Sequence, residues 1–79
     1  MNYCIAVFKS RFATLSFARQ LKANNIPCAI INTPISIGHA CGISVKFSNE
    51  YIVKARELIN ARLKMSFSGI YSLNEHFGL

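Results

Sequence analysis

The chain has 79 residues, 52% of them hydrophobic and only 15% charged, which predicts a single domain with an apolar balance for its size. Nine Lys and Arg against three acidic residues give a net charge of +6, which serves solubility or favours an anionic partner. No apolar run approaches the roughly 18 residues of a membrane span, and Glu50, Glu57 and Glu75 form no pair for acid–base catalysis.

The opening MNYCIAVF lacks the basic stretch and cleavage site of a secretory leader, so the expected location is the cytoplasm. Within it, residues 3–8 (YCIAVF) are a continuous apolar run and predict a central strand. Ser10 is placed as the N-cap of a helix running towards Asn25. Phe17, Ala18 and Leu21 share its inner face with Thr14 beside them, while Arg11, Arg19 and Lys22 face water. Asn24 and Asn25 suit a helix end, and Pro27 cannot continue one. Residues 28–32 (CAIIN) predict a second strand, and 33–42 a loop punctuated by Pro34, Gly38 and Gly42. In the third strand, 43–47, Ile43, Val45 and Phe47 point one way and Ser44 and Lys46 the other. Ser48 or Asn49 caps a second helix that carries Ile52, Ala55, Leu58, Ile59 and Arg62 at helical spacing, with Lys64 at its end. Residues 67–73 (FSGIYSL) predict a fourth strand kinked at Gly69, and 74–79 form a short tail.

The order β-α-β-β-α-β points to an α+β, ferredoxin-like fold spanning residues 1–79, with a four-stranded antiparallel sheet and two helices on one face. The open face is expected to carry Cys4, Ala6, Ser44 and Lys46, a mixture that a second copy could cover in a homodimer. This topology brings the 33–42 loop to the same rim as Lys9, Ser10 and Arg11, with Arg62 and Lys64 nearby.

Three cysteines without close C-x-x-C spacing predict free thiols and no metal site, and no cofactor is expected. Cys4 and Cys28 lie within strands and read as packing residues. Cys41 is different. It follows a loop of small residues and precedes Gly42, whose freedom at φ permits an unusual turn and close approach to the sulfur. The start of the first helix and the cations Lys9, Arg11, Arg62 and Lys64 would favour the thiolate, the form that reacts. His39 reads either as a base or hydrogen-bond partner for Cys41 or as a solvated loop residue. Cys41 itself reads either as this nucleophile or as a small buried residue.

LKANNIP, NTP and then ACGISVKF resemble the small bacterial proteins described as selenium/sulfur carrier-like. The resemblance runs to about Tyr71, with Cys-Gly ahead of an alternating strand as its best motif. Carried over, the family's cysteine falls on Cys41, its glycine on Gly42, its loop proline on Pro34 and its helix-start serine on Ser10. The resemblance implies a ferredoxin-like fold. It also implies a non-catalytic role, with sulfur or selenium held on Cys41 between donor and acceptor proteins. Ile35 and Ser36 stand where charged residues are common, His39 where a small residue is usual, and Asn25 where glycine is common. Two other readings compete. One is a protein-interaction or homodimerisation module with a structural cysteine. The other is an RNA-binding sheet using Tyr3 and Tyr71, against which the third strand presents only Ser44 and Lys46 outward.

Overall fold

Each stretch read as a strand pairs into one sheet, because each supplies the β-branched or aromatic side chains a pleated surface buries. The computed structural model describes residues 2–37 and 41–73. In chain order these form β1 (Tyr3–Phe8), α1 (Arg11–Ala23), β2 (Cys28–Asn32), β3 (Ile43–Ser48), a 3-10 turn (Asn49–Tyr51), α2 (Ile52–Glu57), α3 (Ala61–Lys64) and β4 (Phe67–Leu73). The sheet is antiparallel throughout, in the order β2-β3-β1-β4. His39 and the 74–79 tail lie outside the described residues.

Ser10 caps α1 as its sequence position suggests. Its backbone is extended and its hydroxyl accepts the Ala13 N–H at 3.0 Å. The helix buries Ala13, Thr14, Phe17, Ala18 and Leu21. At its far end Asn25 takes φ 60°, the left-handed conformation that asparagine tolerates, and the Ile26 N–H returns to the Leu21 carbonyl at 2.9 Å.

Two expectations are corrected. Cys4 and Ala6 do not lie on the open face. They point with Phe8 towards α1 and join Phe17, Leu21, Val45 and Phe47 in the core. The register pairs Cys4 with Phe47 and Ala6 with Val45, so the phase of β1 is set by its neighbour. Tyr3, Ile5 and Val7 take the opposite face with Ser44 and Lys46, and Ile5, Val7 and Ser44 are fully buried there. The basis on which a second copy was expected to cover that face therefore changes. The Lys46 ammonium lies over the Tyr3 ring, 4.4 Å from its centroid.

The second helix is also not continuous. After α2 the Ile59 N–H closes a turn on the Arg56 carbonyl at 3.2 Å, and Asn60 becomes extended. The Asn60 side chain then accepts the Leu63 N–H at 2.9 Å, which caps α3 as a separate helix. Ala55, Ile59 and Leu63 still reach the core that α1 packs against. That core is aromatic at its centre, with Phe8 5.3 Å from Phe17 and 5.5 Å from Phe67, and Phe17 6.3 Å from Phe47, centroid to centroid.

The expected kink in β4 is present. Gly69 has φ 149°, and the β1–β4 register slips between Val7 and Phe8, so that Ser68 is the extra residue of a bulge. The Ser68 hydroxyl is buried there without a hydrogen-bond partner among the described residues.

Candidate functional site

Cys41 enters β3 from the loop, two residues ahead of Ile43, and is half-buried. Its Sγ lies 3.5 Å from the Thr14 hydroxyl and 3.6 Å from the Ile43 carbonyl oxygen. Thr14 is fully buried one turn into α1, and its hydroxyl donates to the Ser10 carbonyl at 3.0 Å. The expected meeting of Cys41 with the start of α1 is thus made through a side chain, in the chain Ser10–Thr14–Cys41.

The chemistry of that chain follows from proton counting. A threonine hydroxyl has one proton and two lone pairs. With its proton on the Ser10 carbonyl, Thr14 can accept from the thiol. If the thiol is ionised, the same hydroxyl can turn and donate to sulfur. The Ile43 carbonyl is an acceptor and matches only the protonated thiol. Sequence reasoning set Thr14 beside the apolar face and gave it no role. The available signal was a hydroxyl among Ala13, Phe17, Ala18 and Leu21, one turn after a capping serine.

Gly42 has φ 103°, and a Cβ built there would meet no atom of the described residues within 4 Å. Its requirement is therefore conformational rather than one of space. Its carbonyl accepts the Thr33 N–H at 2.9 Å, and the Thr33 and Ser44 hydroxyls bond to each other, closing the base of the loop. Inside that closure the Ile37 N–H turns back to the Pro34 carbonyl at 3.1 Å.

The cations are arranged around the helix start rather than on the sulfur. Lys9 and Arg11 are exposed on either side of Ser10. The Lys9 N–H donates to the Ser66 carbonyl at 2.7 Å, tying the start of α1 to the turn after α3, where Arg62 and Lys64 are also exposed. Among the described residues, no hydrogen bond or ion pair joins Lys9 or Arg11 to Cys41.

The other two thiols are environments of a different kind. Cys4 donates to the Phe47 carbonyl at 3.7 Å, and burial pushes its thiol up to about 11 despite the opposing charge of Arg56. Cys28 donates to the Ala18 carbonyl at 3.7 Å, and burial raises its thiol too, with Lys22 working against the shift. Cys28 lines a groove of about 430 Å³ with Tyr3, Lys46 and Tyr51, at the end of the sheet away from Cys41. All three cysteines are free. Among the described residues no group of side chains could hold a metal ion, and no helix is long and apolar enough to cross a membrane.

The family described as "Putative Se/S carrier protein-like" matches residues 3–72. The chain belongs to this family. The match runs from the first residue of β1 into β4 and includes Ser10, Thr14, Cys41 and Gly42. No curated protein and no solved structure matches the chain.

Proposed function

We propose that the protein carries sulfur or selenium on Cys41, taking it from a donor protein and passing it to an acceptor protein, without catalysing a reaction of its own. The observation that carries this reading is the contrast among the thiols. Burial raises the Cys4 and Cys28 thiols, whereas the Cys41 sulfur stands at the rim beside the Thr14 hydroxyl, a group that can accept or donate. Family membership supports it. In the same reading the fold is ferredoxin-like, supported by the β-α-β-β-helix-β order and the antiparallel sheet. The work is placed in the cytoplasm, a reducing compartment that suits free thiols.

The transfer is a balanced exchange. The Cys41 thiolate attacks the terminal sulfur of a donor persulfide. Its electron pair forms the new S–S bond, and the pair of the broken S–S bond leaves on the donor thiolate. No net oxidant is needed. The reverse exchange hands the atom to an acceptor thiolate, and a selenium atom follows the same path. Incubation with a cysteine desulfurase and cysteine should add the mass of one sulfur atom to the intact protein. Cys41→Ser should abolish the gain and Cys28→Ser should leave it. Equal gain in Cys41→Ser would overturn the reading.

A further inference from the structure

A second groove, of about 410 Å³, runs between α1 and α3 on the outer side of the helix layer. It lies beside α1 where α3 starts afresh at Asn60. Phe12 and Met65 flank it while 70% and 85% exposed, and Leu63 lies at its floor. Large apolar side chains left this open beside a concavity mark a binding surface. Gln20 and Asn60 offer amides along it, and Arg62 brings a charge into it. Among the described residues no acidic side chain lines it. Lys9, Arg11 and Lys64 adjoin the end where the Lys9 N–H meets the Ser66 carbonyl.

We propose that this groove docks an acidic segment of a partner protein, with one apolar side chain of that segment seated between Phe12 and Met65 and its carboxylates against Arg62 and the neighbouring cations. Charge decides the occupant. A second copy would bring another +6 chain, with only three acids to offer, onto a groove lined by Arg62 and adjoined by Lys9, Arg11 and Lys64. The adjoining cations gather at one end, whereas a nucleic-acid strand presents charge along its whole length. An apolar anchor beside carboxylates matches both halves of the surface. The proposal rests on the chain having protein partners and not on the chemistry of Cys41, so it is tested in the Cys41→Ser protein.

The probe is a short fluorescein-labelled peptide of Glu, Asp, Gly and Ser with one central Phe, followed by anisotropy and by backbone amide shifts in NMR. Binding should be saturable, weaken with salt and move the amides of Phe12, Arg62, Leu63 and Met65. Phe12→Ser, Met65→Ser and Arg62→Glu change exposed positions and should keep the Tm, yet each should weaken binding about ten-fold. Replacing the peptide's Phe by Ser, or its acids by Lys, should do the same or worse. The proposal is overturned if the acidic peptide does not bind, if it binds no better than the basic one, or if the shifts lie outside the groove. Tighter binding of oligouridine on these residues overturns it in favour of a nucleic acid. Self-association that Met65→Ser abolishes overturns it in favour of a second copy.

Discussion

Cys4 lies in β1 and Cys41 just ahead of its neighbour β3, yet their sulfur atoms stand in contrasting surroundings. Cys4 lies in β1, 1% exposed, among the side chains of the core, with a carbonyl as its acceptor. Cys41 lies ahead of β3, half-buried, with the Ile43 carbonyl and, besides it, a hydroxyl that can accept or donate. Exposure alone does not distinguish the Cys41 thiol from a packing one, because Cys28 is half-buried as well. The partner matters: a fixed carbonyl serves only the thiol, whereas a rotatable hydroxyl serves both forms.

The strongest way to break this comparison is alkylation of the folded protein near neutral pH, followed by peptide mass mapping. Cys41 should react about a hundred-fold faster than Cys4, whose reaction waits for the core to open. Similar rates would erase the distinction. Next in size is alkaline pH. The Cys4 thiol is raised in the folded state from 9.0 to about 11, so its contribution is intact below about pH 9. It is lost as pH rises through 11, because the unfolded chain ionises first, and the loss amounts to about 2–3 kcal/mol. Urea midpoints at pH 8 and pH 11 should show that loss in the wild type and a smaller one in Cys4→Ala. Gly42→Ala sharpens the other side. A side chain at φ 103° should cost about 1–2 kcal/mol and lower the Tm by several degrees, although no described residue crowds the new methyl group. The smallest expected effect belongs to Thr14→Val, which keeps shape and removes the hydroxyl. Sulfur loading of Cys41 should slow about three- to five-fold with little change in Tm, and Thr14→Ser should restore it. An unchanged loading rate in Thr14→Val would confine Thr14 to packing.

Much of the architecture was legible in the chain. Ser10, the Asn24–Asn25 pair and Gly69 marked a cap, a helix end and a strand kink through local backbone chemistry, and the register showed the kink to be a bulge. The phase of β1 was not legible, because YCIAVF is apolar at each internal position and alternation has nothing to choose between. Its facing was decided across the sheet by Val45 and Phe47. The break at Asn60 was hidden for a related reason. Ile59 and Leu63 keep reaching the core on either side of it, so the hydrophobic spacing runs through the interruption. Of the candidate site, Cys41, Gly42 and Ser10 were readable from small-residue and capping chemistry, and topology supplied their common rim. Thr14 and the α1–α3 groove required coordinates, since the first depends on a contact 27 residues apart in sequence and the second on a helix that does not continue.

The closure at the base of the 33–42 loop has a consequence for how such proteins can be altered. Thr33 meets the Gly42 carbonyl and the Ser44 hydroxyl, so β2 and β3 are clamped before the loop departs. The clamp predicts that another family member's residues 34–41 can be spliced in as a cassette with the strand register kept, which β2 and β3 amide shifts would check. Because Cys41 lies inside the cassette and Thr14 outside it, such a graft moves the sulfur-bearing residue while leaving its hydroxyl partner behind in the scaffold.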